Sequence, residues 1–116
     1  MDQLTNIFKT LSDETRLRLL LLLQQEELCV CQLSGILDVP QPRVSKNLSK
    51  LRDMQLVADE RKEKFVFYTL KRDNKLLMEI LEKILEDPEL YPQLAVDRMR
   101  LGEKEKYLDR CGIRCG

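Results

Sequence analysis

Two prolines constrain this chain more than any other feature. Pro40 and Pro42 follow Asp38 and Val39 and precede the run VSKNLSKL. Proline has no amide hydrogen and clashes with a preceding helical turn. It is tolerated in the first turn of a helix, whose amides lack a helical partner anyway. One helix must therefore stop before Asp38 and another must open at Pro40, with only Asp38, Val39 and Pro40 to turn the chain. Two helices joined this tightly make a helix-turn-helix.

The hydrophobic pattern fills in the rest. Residues 3–11 read as a short helix with Leu4, Ile7, Phe8 and Leu11 on one side. Ser12 is the expected N-cap of the next helix, with Asp13 and Glu14 in its first turn, where the helix dipole favours acids. That helix runs to about Gln24. Its leucine run covers more than one face, so it should be the central buried helix. Residues 30–37 form a third, short helix. In the fourth, Val44, Leu48 and Leu51 mark a buried stripe that ends near Met54. Residues 56–60 and 64–70 read as two strands around Arg61, Lys62 and Glu63, with Phe65, Phe67 and Thr69 alternating with Val66, Tyr68 and Leu70. The tip has no glycine, so a loop longer than two residues is expected. Residues 74–86 form an amphipathic helix through Leu77, Ile80, Leu81, Ile84 and Leu85. Pro88 and Pro92 interrupt the chain before a last charged helix over about 93–107 and the ending CGIRCG.

The predicted fold class is therefore α+β, mainly helical: a winged helix-turn-helix with a two-stranded β-wing and terminal dimerisation helices. Residues 1–87 form the DNA-binding and dimerisation domain, and residues 88–116 a charged helical extension carrying Cys111 and Cys115. The first helix and the 74–86 helix carry more apolar surface than one small winged domain covers, so a homodimer is expected.

Composition narrows the function. A chain of 116 residues, 43% apolar and 34% charged, fits one helix-rich globular domain rather than a disordered one. Lys plus Arg (20) balances Asp plus Glu (20), so the placement of charge decides the partner. The start MDQLTNIFKT lacks the basic region and apolar core of a signal peptide. The longest apolar run, residues 19–23, is far short of the ~20 residues that span a bilayer. A cytoplasmic protein with no membrane partner is expected. In a reducing compartment four cysteines read as thiols for metal or redox chemistry, not structural disulfides. No histidine is present, which removes the commonest catalytic base and metal ligand. With no Cys-x-x-Cys and no phosphate loop either, an enzyme is not expected.

The charges sit where a DNA reader needs them. From Pro40 to Arg52 the charged residues are Arg43, Lys46, Lys50 and Arg52, all positive. A basic helix face alone is often only a solvated one. Here it begins at the end that meets base edges in the major groove. Gln41 suits adenine and Arg43 guanine, and Ser45 and Lys46 reach phosphate or base. Arg61, Lys62 and Lys64 on the wing would lie along a neighbouring stretch of backbone or minor groove.

The segments LSDETRLRLLLLL, ELCVCQLSGIL, VPQPRVSKNLSKLRDMQLV and KFVFYTL resemble the ArsR/SmtB family of bacterial metal-responsive repressors. The likeness covers roughly residues 4–85, and the ELCVC run resembles the arsenic-responsive members. It implies a homodimer on an imperfect palindrome of double-stranded operator DNA, repressing without metal and released when metal binds. On this resemblance Gln41, Arg43, Ser45 and Lys46 would read DNA. Pro40 stands where the family commonly has Ser or Thr. Some relatives carry a third Cys where this chain has Ser34.

Cys29 and Cys31 are the sharp motif. Thiolate is the soft ligand, so a cysteine-only set selects As(III) or Sb(III) as inducer, then Cd(II), Pb(II) or Cu(I). No organic cofactor is expected. Helical residues advance about 100° each, so two sulfurs at i and i+2 cannot meet one ion inside a regular helix. Binding must find or make non-helical backbone at the start of the third helix. The third donor is open: Cys111 and Cys115 could complete this site, form their own, or be incidental. Two functions compete: a repressor released by arsenite or antimonite, and a thiol redox sensor or cadmium/lead sensor on the same fold. In the redox reading the disulfide joins Cys29 to Cys31 or Cys111 to Cys115.

Overall fold

The computed structural model describes residues 1–108; Cys111 and Cys115 lie outside that range. The chain runs α1 (Asp2–Leu11), α2 (Glu14–Gln25), β1 (Leu28–Cys29), α3 (Val30–Leu37), α4 (Gln41–Asp53), β2 (Val57–Lys62), β3 (Phe65–Leu70) and α5 (Lys75–Leu85). A 3-10 turn (Pro88–Leu90), α6 (Pro92–Leu101) and a second 3-10 turn (Lys104–Tyr107) follow.

α2 is the axle. Leu19 to Leu23 are each at most 2% exposed, and α1, α3, α4, α5, α6 and β3 all touch this helix. A helix that is apolar all round must be enclosed. Each enclosed leucine contributes roughly 1.5–3 kcal/mol of burial. The cap of α2 differs from the expected one. Asp13, not Ser12, accepts the Arg16 amide at 3.0 Å. Ser12 instead ends α1, its hydroxyl donating to the Lys9 carbonyl at 2.7 Å. Either oxygen suits an N-cap, and here Ser12 serves as the C-cap of α1, which leaves Asp13 to open α2.

The turn between α3 and α4 is as short as the prolines demand. Asp38 ends α3 at φ 57°, ψ 48°. The Ser34 hydroxyl donates to the Val39 carbonyl at 2.6 Å, bracing the turn. Pro40 caps α4 without a side-chain hydrogen bond, and Pro42 occupies the first turn.

The wing hairpin pairs Lys62 with Phe65, leaving two residues, Glu63 and Lys64, at its tip. This corrects the expected longer loop. Glu63 adopts φ 58° and so supplies the left-handed residue that a tight hairpin needs, without glycine. β3 also pairs on its other side with β1, matching Leu28 to Tyr68 and Cys29 to Phe67, so the two-stranded wing is rooted in a sheet of order β1-β3-β2. The last expected helix is broken: α6 stops at Leu101, Gly102 caps it, and a 3-10 turn follows.

Candidate DNA interface and thiol centre

α4 has two faces. Val44, Leu48 and Leu51 are wholly buried, and the helix packs on α2 and α3. Arg43, Ser45, Lys46 and Lys50 are exposed on the other side, and Gln41 is half-buried with a partner of its own. The burial stripe therefore turns the four predicted polar residues to solvent. Arg16 of α2, which sequence reasoning missed, joins this surface. Its Nε donates to Asn47 Oδ1 at 3.0 Å, and Asn47 Nδ2 donates to the Arg43 carbonyl at 3.0 Å. An arginine in the first turn of a buried helix gives no sign, in sequence, of which neighbour it meets.

On the wing Arg61, Lys62 and Lys64 are all exposed. Lys62 is committed in part. Its Nζ lies 2.5 Å from Glu27 Oε1 and 5.6 Å from the Phe67 ring centre. The Glu27 hydrogen bond raises its pKa, but the pair is exposed and screened by salt. Lys64 Nζ stands 5.6 Å from the Phe65 ring centre.

Cys29 and Cys31 come together as one buried cluster, 0% and 2% exposed, with Val30, Phe65, Phe67 and Leu108 packed against them. Cys29 is not in a helix. It ends β1 with extended backbone, φ −92° and ψ 169°, and serves as the N-cap of α3. Its amide donates to Gln32 Oε1 at 3.1 Å, and its side chain accepts from the Gln32 amide, a capping box with sulfur in place of the usual hydroxyl. Burial pushes the Cys29 thiol up, against the pull of the Gln32, Cys31 and Cys29 amides. Half of the non-helical backbone that a shared ligand requires is thus already present.

Cys29 is free, whereas the Cys31 sulfur is disulfide-bonded. This departs from the expectation of four thiols, and it excludes a bond between Cys29 and Cys31. No group of three or more Cys, Asp or Glu residues suited to a metal occurs among the described residues. The apolar side chains packed on the two cysteines are those of Val30, Phe65, Phe67 and Leu108, and buried Gln32 adjoins them through its Oε1 on the Cys29 amide.

No helix among the described residues is long and apolar enough to cross a membrane. Residues 13–59 match the family described as "Bacterial regulatory protein, arsR family". An arsenic resistance transcriptional regulator of Pseudomonas putida is 37% identical over 98 residues, 84% of this chain and 76% of that protein. The arsenical resistance operon repressor of Escherichia coli is 48% identical over 65 residues, 55% of this chain and 56% of that protein. Among solved structures, reduced HlyU from Vibrio cholerae aligns with TM-score 0.67 at 30% identity, covering 78% of this chain and 90% of that one. The AntR antimony-specific transcriptional repressor aligns with TM-score 0.64 at 28% identity, covering 79% and 82%. The Pseudomonas putida, Escherichia coli and AntR relatives are transcriptional regulators, not enzymes. With its exposed basic helix α4, its wing and these matches in view, the chain belongs to the arsR family of bacterial regulatory proteins, and it is a winged-helix transcriptional repressor.

Proposed function

We propose that this repressor is cytoplasmic, binds its operator as a homodimer through Gln41, Arg43, Ser45, Lys46 and Lys50 of α4 and Arg61, Lys62 and Lys64 of the wing, and releases it when arsenite or antimonite engages Cys29 and Cys31. One observation carries the reading: a free, buried Cys29 is at once the N-cap of α3 and the partner of Phe67 in the sheet. Arsenic resistance in the relatives named above supports the choice of metalloid.

Each sulfur–arsenic bond forms by condensation of a thiol with a hydroxyl of As(OH)3, losing water without redox change. In this mechanism the Cys29 sulfur is drawn off the Gln32 amide as it bonds arsenic, and the capping box opens. Loss of an N-cap costs about 0.5–2 kcal/mol of helix stability. α3 supports α4, so a loosened α3 mis-sets the recognition helix. In a dimer the two recognition helices must match half-sites about 34–36 Å apart, and a small tilt is enough to lose one of them. A dithiol reductant must first open the Cys31 disulfide by exchange, becoming a disulfide itself and leaving Cys31 as a thiol. Cys111 and Cys115 remain candidates for the third donor. Exposed Leu4 and Phe8 on α1 and Leu76 on α5 support the dimer, and sedimentation showing a monomer at micromolar concentration would contradict it.

The disulfide at Cys31 favours a second reading, a repressor switched by thiol oxidation. One experiment separates the two. Reduced protein bound to a fluorescent promoter fragment is titrated with arsenite, cadmium or peroxide. Release by arsenite at low stoichiometry, lost in Cys29→Ser, supports the metalloid sensor. Release by peroxide alone transfers the role to oxidation, and release by cadmium alone changes the inducer. Unchanged arsenite potency in Cys29→Ser refutes the mechanism.

A further inference from the structure

The segment after α5 grips α3 from end to end. At the start of α3, Leu108 packs on the cysteine cluster, and Gln32 Nε2 points to the Lys104 carbonyl at 3.5 Å. At its middle, Gly35 lies against the Tyr107 ring. The firmest hold is at its end. Arg18 of α2 forms a fork with Asp97 of α6, Nε to Oδ2 at 2.9 Å and Nη2 to Oδ1 at 2.8 Å. The two side chains are 7% and 4% exposed. The same Nη2 donates to the Leu37 carbonyl at 3.1 Å. Gln93 Nε2 donates to Asp97 Oδ1 at 3.0 Å, and Arg100 Nη1 donates to the Ile36 carbonyl at 3.0 Å.

Ile36 and Leu37 are the last two residues of α3, and the closing carbonyls of a helix have no partner within it. Only Asp38, Val39 and Pro40 separate Leu37 from the start of α4. Two arginines thus anchor the point from which the recognition helix departs, and one of them is held by a carboxylate of α6. A buried ion pair is a poor source of net stability, since desolvation offsets most of its attraction. It does fix geometry, because the guanidinium fork accepts one arrangement of its partners.

We propose that Arg18, Asp97 and Arg100 are positioning residues for DNA recognition: through the Ile36 and Leu37 carbonyls they set the angle between α3 and α4, so that operator affinity depends on a segment remote from the DNA. The proposal rests on α4 being the DNA-reading helix.

The test compares full-length Asp97→Asn, Arg18→Lys and Arg100→Ala with Arg43→Ala. Affinity for the operator fragment and for an unrelated duplex is read by fluorescence anisotropy, at a temperature where circular dichroism shows each variant folded. Asp97→Asn strands a buried cation and is the variant at risk of not folding. Arg100 is half-buried, so Arg100→Ala keeps the test alive. Arg18→Lys keeps the charge facing Asp97 but loses the fork that also reaches Leu37. All three positioning variants are expected to weaken operator binding on the order of tenfold, the scale of one mismatched base pair. Binding to the unrelated duplex should stay within about twofold, since phosphate contacts supply that affinity. Folded variants with a lower unfolding midpoint but unchanged operator affinity would show a structural role only and overturn the proposal. If Arg43→Ala also binds the operator normally, the fault lies in the assignment of α4 instead.

Discussion

Replacing Gly35 with alanine should destabilise this protein, although the same change in an ordinary helix stabilises it. Gly35 lies within α3. By helix propensity alone alanine is favoured by about 0.8–1 kcal/mol. A Cβ at this position would stand 2.1 Å from Tyr107 Cδ1, 2.4 Å from Cγ and 2.7 Å from Cε1. Carbon atoms prefer separations of about 3.5–4.0 Å. The ring must retreat by more than an ångström, and at 4% exposure it has no free space to enter. If the ring is expelled, loss of its burial costs about 3 kcal/mol or more. The propensity gain offsets about a third of that, so the net loss is about 2 kcal/mol. Urea unfolding followed by circular dichroism reads the difference. The decisive comparison repeats the substitution in a Tyr107→Ala background. There the obstacle is gone, and Gly35→Ala should stabilise by about 0.8–1 kcal/mol. An alanine that stabilises the parent chain, or has the same effect in both backgrounds, would refute the packing argument.

Two further outcomes follow from exposed and buried groups. Burial first, then the charge of Asp59, raises the Tyr68 phenol above its ordinary pKa, with Arg52 opposing. The folded state therefore holds this proton more tightly. The resulting stability is fully present below about pH 10, the unfolded value, and is lost as pH rises through the folded pKa. Urea midpoints across that range should fall less steeply for Tyr68→Phe than for the parent, and parallel curves would count against the buried phenol. Lys64→Ala on the wing should reduce the slope of log affinity against log salt by about 0.9 if that lysine neutralises one phosphate. An unchanged slope would remove Lys64 from the interface.

How much could be read in advance followed the range of the interactions. The five helices through residue 85 were legible because apolar spacing and proline position are local. So was the orientation of α4, since Val44, Leu48 and Leu51 fix which way Arg43 and Lys46 face. Ser12 and Asp13 both qualify as caps, and only the packing of α1 chooses between them. The tight wing tip escaped notice because Glu63 accepts a left-handed conformation that sequence assigns to glycine. β1 is two residues long and exists only because Phe67 and Tyr68 are there to pair with it. The thiol pair announced itself by spacing. Its setting between Phe65, Phe67 and Leu108 did not, because those contacts join distant parts of the chain. The link from Arg18 to Asp97 spans 79 positions. Within LRLLLLL, residues 17–23, the only sign of it was one charge in an otherwise apolar run.

Cys29 belongs to two elements at once, and this has a consequence for how sharply a ligand can act. The ladder joins it to Phe67, and the capping box joins it to Gln32. A ligand that draws the sulfur aside disturbs the strand that carries the wing and the helix that braces the reader in one movement. Penalties on two limbs of the same interface add as free energies and therefore multiply as affinities. If each limb loses about 1.4 kcal/mol, a factor of ten, the operator is held roughly a hundredfold more weakly. A modest displacement of one atom is thereby converted into a nearly complete change of occupancy, without either limb having to unfold.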